Sequence, residues 1–246
     1  YASEYEDNLP IPHFFKTRLQ RVSEMLHEFH EGKVLDVGCG PGLIGNAFRG
    51  KPIEYFGVDI SKEMIRECIE RFGSDPGFRF SLGRMESLSF HDSCFDAVLC
   101  LGAFEYVSEP RVAMGEIARV IRPEGILVIS MLNGRCPYRI WQGLFYSRMV
   151  NGINKLKRLV AGGINPQGGK TPEVRLRSEA DLRDLLVEGG FEIQDEVYYD
   201  FNLFFPPLDA LFPGASVFLS RKLEFLCRSK LRKLGTGFLL KCRKHG

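Results

Sequence analysis

Apolar side chains recur at helical spacing between residues 12 and 30, where Phe15, Leu19, Val22, Met25, Leu26 and Phe29 share one face after Pro12. That periodicity predicts an amphipathic helix. Short apolar runs then replace it, and residues 33–37, 55–59, 78–82, 95–101 and 125–131 read as five strands. Helical patterns separate them, one capped by Ser61 and running to Arg71, another over residues 109–121 and ending before Pro123. Strands alternating with helices of this length need crossover connections, hence a parallel sheet with helices on both faces. Ligands of such sheets bind at the carboxyl ends of the strands, where strand order reverses.

Beyond Met131 the alternation breaks. Residues 137–160 read as a helix rich in aromatic side chains (Tyr138, Trp141, Phe145, Tyr146), and 162–172 as a loop rich in Gly and Pro. Ser178 caps a helix to Glu188, Gly189 and Gly190 end it, and 191–199 forms a sixth strand. Residues 201–234 are a second insertion with a helix in the latter half, before a final strand at 237–242. The expected architecture is α/β, a doubly wound, seven-stranded, mostly parallel sheet with helical insertions after strands 5 and 6. One domain spans 1–246: an N-terminal helical lid to residue 32, a core over 33–131, and a C-terminal half from 132.

Composition adds limits. The 246 residues are 44% hydrophobic and 26% charged, the balance of a globular chain. No apolar run reaches the roughly 20 residues a membrane span needs, and no secretion signal opens the chain, so a cytoplasmic location is expected. The seven cysteines have no metal-ligand spacing, which predicts reduced thiols and no metal site. Residues 221–244 carry nine basic side chains against the single acid Glu224, leaving the rest of the chain net acidic. Such asymmetry suits either an anionic partner or a solvated helix face.

The most informative segment is Val34-Leu35-Asp36-Val37-Gly38-Cys39-Gly40-Pro41-Gly42. A strand running into closely spaced glycines lets the backbone turn tightly and approach a ligand without Cβ atoms in the way. Gly40, Gly42 and Gly45 also satisfy the G-x-G-x-x-G spacing of nicotinamide and flavin enzymes, so the loop alone does not name its nucleotide. Asp59, ending the second strand, is placed to accept hydrogen bonds from ribose hydroxyls.

The wider pattern resembles the class I S-adenosylmethionine-dependent methyltransferases. Asp36–Gly42 and Asp59 are similar to the family's first two motifs, Gly83-Arg84-Met85-Glu86-Ser87-Leu88-Ser89-Phe90 to its third, and Phe95–Cys100 and Ile121-Arg122-Pro123-Glu124-Gly125-Ile126-Leu127-Val128 to its fourth and fifth strands. The resemblance covers about residues 33–131. It implies that S-adenosylmethionine is the cofactor, that Gly38, Gly40 and Gly42 shape the loop against its methionine part, that Asp36 reaches its ammonium, that Asp59 holds the ribose and that Met85 covers the adenine. Cys39, Ile60, Met64, Cys100 and Leu101 complete the expected cofactor contacts. Two positions depart from the family: Arg84 stands where Asp is common, which passes the adenine amino group to Glu86 or a backbone carbonyl, and Glu105-Tyr106-Val107 replaces Glu-His-Val.

Methyl transfer from a sulfonium is an in-line displacement, so alignment in a dry pocket is the main task. Tyr106 and His13 are the candidate catalytic residues, with Tyr138, Tyr198 and Tyr199 as further hydroxyls. The aromatic insertions point to a small-molecule or lipid-like acceptor, methylated on O or N. Nucleic acid is not expected, since no RNA-binding module or N/D-P-P-Y tetrapeptide is present. The alternatives are a nicotinamide-dependent oxidoreductase, against which no tyrosine is followed four residues later by lysine, and a non-catalytic cofactor-binding protein. Residues 216–233 are expected to form one basic amphipathic helix, with Leu219, Leu223, Leu226 and Cys227 as the stripe that would meet an anionic membrane.

Overall fold

β1 (Gly32–Val37) lies in the interior of a seven-stranded sheet and pairs in parallel with β2 (Ile53–Asp59) on one side and β4 (Phe95–Leu101) on the other. The computed structural model describes residues 9–146, 148–149 and 178–246; the expectations for residues 150–177 fall outside them. β3 (Phe78–Leu82), β5 (Ile121–Leu132), β6 (Phe191–Tyr199) and β7 (Gly237–Lys244) complete the order β3-β2-β1-β4-β5-β7-β6. Only β7 runs antiparallel to its neighbours, filling the gap between β5 and β6. Strand order reverses between β1 and β4, so the switch point sits over the glycine loop.

Alternate residues along each strand feed two cores. Leu35, Val37, Val98, Cys100, Leu127 and Ile129 face α3 (Pro110–Val120) and, further along the chain, Leu182, Leu185 and Leu186 of the helix Glu179–Glu188. Val34, Tyr55, Leu99, Val128 and Tyr199 face the other way, toward Val22 and Met25 of α1 (Pro10–Met25). The two-residue period therefore puts Asp36 on the α1 side of the sheet, in line with Val34. Between β2 and β3 comes α2 (Lys62–Phe72), whose N-cap Ser61 accepts from Met64 N.

Most elements occupy their expected places, with two corrections. α1 stops at Met25 rather than near residue 30: the chain turns through Leu26 to Phe29, where Phe29 N donates to Leu26 O, and Lys241 Nζ donates to the Met25 carbonyl at the helix end. Residues 216–233 do not form one helix. α4 (Pro137–Trp141, continued by a π-helical turn over Gln142–Tyr146), α5 (Glu179–Glu188) and the short α6 (Leu208–Leu211) are followed by α7 (Pro213–Leu223), and then only by 3₁₀ turns at Glu224–Arg228 and Arg232–Leu234. The helix ends where Glu224 is drawn inward. Its carboxylate accepts from Asp200 N at 2.8 Å and from Arg21 at 2.9 Å, anchoring the chain to the end of β6 and to α1.

The acidic body and basic tail meet within the molecule. Arg228 pairs with Asp195 (Nη2 to Oδ2, 2.7 Å), Arg232 with Glu196, Lys233 with Glu179 and Arg243 with Glu124, while Lys244 Nζ donates to Ile121 O. Leu223, Leu226 and Cys227 pack on the core, so these three of the four residues in the stripe assigned to a membrane face the protein instead.

Candidate functional site

Beyond β1 the chain turns through Gly38, Gly40 and Gly42, all at positive φ. Gly38 N and Cys39 N donate to Val58 O at 2.7 and 3.1 Å, which fastens the loop to the end of β2. Gly40 N donates to Asp59 Oδ2 at 2.8 Å, and Asp59 Oδ1 accepts from Ser61 N at 2.9 Å. The glycines differ in purpose. A Cβ on Gly40 would meet nothing within 4 Å and would project into open space, whereas one on Gly42 would press on Cys68 Sγ at 3.0 Å and the Phe72 ring at 3.2 Å. Gly40 thus leaves room above the loop, and Gly42 seats the loop on α2. The loop runs into a single 3₁₀ stretch, Leu43–Ala47, so no long α-helix dipole points at the site.

A cavity of about 1100 Å³ opens above the loop at the carboxyl ends of the strands. Asp36, Gly38, Cys39, Gly40, Asp59, Ile60, Met64, Arg84, Met85, Glu86 and Leu101 line it, as does Tyr106. Three expected site residues do not. Gly42 is turned to α2, and Cys100 is wholly buried under Met85, its Sγ 3.9 Å from Met85 Sδ. His13 is buried on the far side of α1, its Nε2 3.2 Å from Ser220 Oγ and 4.0 Å from Asp200 Oδ1, where desolvation, with Arg221 and Lys16, lowers its pKa to about 4. The lid-helix position that suggested catalysis serves instead to fasten α1 to α7 and to the end of β6.

Electrostatics concentrate on three buried groups. Asp36 accepts from the Tyr55 hydroxyl at 2.5 Å through Oδ2, while Oδ1 has no partner. Burial pushes its carboxyl up to about 7, against the pull of Tyr55 and Arg18. Glu105, in a 3₁₀ turn after β4, is 2% exposed, lines the cavity and leaves Oε2 without a partner; burial likewise brings it to about 7. Arg18, reaching in from α1, is 8% exposed and lies over the Phe15 ring at 5.0 Å. A Cβ on Gly102 would overlap its guanidinium, so the bare backbone after β4 makes the space in which Arg18 rests. Among the described residues Arg18 makes no ion pair, and its Nε has no partner. Three ionisable groups without full partners around one cavity leave a demand that a zwitterionic ligand meets.

Sequence reasoning passed over Arg18 and Glu105. A basic residue among Phe14, Phe15, Leu19 and Val22, and the acid directly before Tyr106, were the available signals. The outer cavity is walled by α1 and by the two insertions, which lock together: Tyr138 Oη donates to Asp209 Oδ2 at 2.6 Å and Trp141 Nε1 to Pro206 O at 2.9 Å. Glu86 Oε1 accepts from Ser108 N and from Arg84, both at 3.2 Å, which holds it at the rim beside Met85.

Known proteins resemble this arrangement. Residues 35–129 match the family described as a methyltransferase domain. A ubiquinone biosynthesis O-methyltransferase of Alkalilimnicola ehrlichii is 30% identical over 126 residues, 50% of this chain and 51% of the relative. A fatty-acid O-methyltransferase of Mycolicibacterium smegmatis is 31% identical over 153 residues, 58% of this chain and 55% of the relative. The chain thus spans about half the length of these curated relatives. Among solved structures, a SAM-dependent methyltransferase of Methanosarcina mazei superposes with a TM-score of 0.57 at 21% identity, covering 90% of this chain and 97% of that one. Residues 35–129, which build the β1–β5 half of the sheet and its glycine loop, are therefore a methyltransferase domain with the class I Rossmann-like fold.

Proposed function

We propose that this protein transfers the methyl group of S-adenosylmethionine to an oxygen of an apolar, lipid-like small molecule. The observation that carries the reading is Asp36 Oδ1, a buried acceptor with no partner, facing a cavity that also holds the unpaired Arg18 guanidinium. An ammonium fits the first and a carboxylate the second, and the methionyl end of the cofactor has both. Bound there, the cofactor would supply an electrophilic methyl on its sulfonium. Asp59 keeps a second acceptor direction on each oxygen beyond its bonds to Gly40 N and Ser61 N, enough for two ribose hydroxyls. Ile60, Met64, Met85 and Leu101 offer apolar contact to a purine, and Glu86 a carboxylate for its amino group.

Phe14, Phe15, Leu19 and Tyr146 give the outer cavity an apolar, aromatic side, alongside polar groups such as Arg139, Gln142 and Asn202, and that side favours a hydrophobic acceptor. Relatives named for ubiquinone and fatty-acid O-methylation support the same class. For a hydroxyl acceptor, Glu105 Oε2 is the group placed to take the proton, since burial has already brought its basicity near neutrality. An acceptor of that kind partitions into bilayers, so the protein would collect it at a membrane surface. The nicotinamide reading loses support at Gly42, where that fingerprint brings the backbone to a pyrophosphate, because Gly42 packs on Cys68 and Phe72 rather than facing the cavity.

The test has two stages. Calorimetry should detect S-adenosylmethionine and S-adenosylhomocysteine but not NAD. Incubation with cofactor labelled in its methyl group, alongside long-chain fatty acids and prenylated phenols, should then yield a labelled ester or ether. Binding without any labelled product across such acceptors and a lipid extract would overturn the enzymatic reading in favour of a binding protein.

A further inference from the structure

We infer that the outer face of α6 and α7 is a docking surface for an anionic lipid bilayer, set directly outside the acceptor end of the cavity. The amphipathicity of α7 is inverted. Its fully buried residues are Ser216, Val217 and Ser220, with Leu223 partly buried on the core at the helix end, while Phe218 is 63% exposed and Phe225, on the turn that follows, 74%. Leu211 and Phe212, between the two helices, are exposed at 65% and 55%. Small and polar side chains therefore meet the protein where a surface helix ordinarily buries its large apolar ones. Exposed large apolar groups clustered on one face mark an interaction site.

Charge selects the occupant. Arg221, Lys222 and Lys230 are exposed on the same stretch, and Lys222 Nζ lies 5.6 Å over the Phe218 ring, whereas Arg228 is already paired with Asp195. Its two acids are turned away: Asp209 is buried against Tyr138, and Glu224 is bound to Arg21 and Asp200 N. Exposed phenyl and leucyl groups set among cations, with both acids of the stretch turned away, match a headgroup layer of anionic lipid over acyl chains. Among the described residues no helix is long and apolar enough to cross a membrane, so the contact would lie in the interface plane.

The position gives the contact a use. Asp209 and Ala210 line the cavity, while their neighbours Leu208 and Leu211 are exposed, so one turn of α6 is both the cavity wall and part of the surface. A hydrophobic acceptor would pass from the bilayer across this turn without crossing water. That second part rests on the proposed acceptor class; the docking itself does not.

The experiment is sedimentation of the full chain with phosphatidylcholine vesicles containing graded phosphatidylglycerol. We expect binding that rises with anionic content and weakens with salt. Phe218→Ser with Phe225→Ser should lower the partition coefficient about tenfold or more, and Lys222→Glu with Lys230→Glu should remove the salt-sensitive part. Both variants should bind S-adenosylhomocysteine as the parent does, which separates loss of docking from loss of fold and from failure of the methyltransferase reading. No vesicle binding at low ionic strength, or equal binding by the phenylalanine variants, would overturn the inference. So would a dimer in analytical ultracentrifugation that dissociates in the phenylalanine variants and binds no vesicles, because the face would then belong to a second copy.

Discussion

The hydroxyl of Tyr55 donates to Asp36 Oδ2 at 2.5 Å and is the only hydrogen bond the buried carboxylate has among the described residues. Tyr55→Phe should therefore raise the Asp36 pKa above its present value of about 7 and weaken S-adenosylhomocysteine binding at neutral pH by about 1.5–3 kcal/mol, the worth of a hydrogen bond to a charged group. Affinity should recover partly at pH 9, where the carboxyl ionises again. Calorimetry at the two pH values checks this, and an unchanged affinity would detach Asp36 from the ligand's ammonium.

Stability of the ligand-free protein should fall as pH rises from about 4 to about 7. Asp36, Glu105 and Asp200 all have folded pKa values raised by burial to about 7, so over this range the folded state holds protons that the unfolded state has released. Each such group lowers stability by about 1.4 kcal/mol per pH unit within the window. His13, depressed to about 4, acts in the opposite sense up to its unfolded value of 6.5 and offsets one of the three. Thermal melts from pH 4.5 to 8 should show the decline, and Asp36→Asn should flatten it by one proton's worth. A parallel slope in that variant would mean that Asp36 ionises normally.

Gly40 and Gly42 should fail in different assays. Gly40→Val would project into the open space above the loop, abolishing ligand binding while costing roughly 1–2 kcal/mol for the left-handed backbone. Gly42→Val adds compression against Cys68 and Phe72, for about 1–3 kcal/mol more. Melting temperature and calorimetry read together distinguish the two, and a Gly40→Val protein that binds normally would remove the loop from the ligand site.

Asp59→Ala should weaken cofactor and product alike by about 1.5–3 kcal/mol through loss of charge-assisted bonds. It also leaves Gly40 N and Ser61 N without their acceptor, so Asp59→Asn, which can still accept one of those bonds, should lose less. Equal affinity in all three proteins would exclude Asp59 from ribose recognition.

Glu105→Gln should lower kcat on a hydroxyl acceptor by about 10²–10⁴-fold, the usual worth of a general base. S-adenosylhomocysteine affinity should be unchanged, and the limb of the pH–rate profile near 7 should disappear. A pH profile retaining that limb would assign it elsewhere.

The order of elements was legible from local pattern alone. β3, β4 and β6 lie where alternation and apolar runs predict them, Ser61 and Ser178 cap the helices they precede, and the loop from Asp36 to Gly40 with Asp59 carried its motif in sequence. These features depend on neighbours within a few residues, where φ/ψ preference and side-chain period act directly. Tertiary structure decided the rest. Arg18 and Asp36 stand 18 positions apart in sequence and gain their relation only because α1 lies on the Val34–Tyr55 face of the sheet. Glu105 becomes a poised carboxyl only through burial, which no local pattern encodes. The basic C-terminal stretch read as one membrane-facing helix, yet Glu224 ends α7 by reaching Arg21 and Asp200 N, over two hundred residues and 24 residues away respectively, and turns Leu223, Leu226 and Cys227 onto the core. Periodicity marks which side chains share a face, but only packing against distant elements fixes whether that face meets protein or solvent.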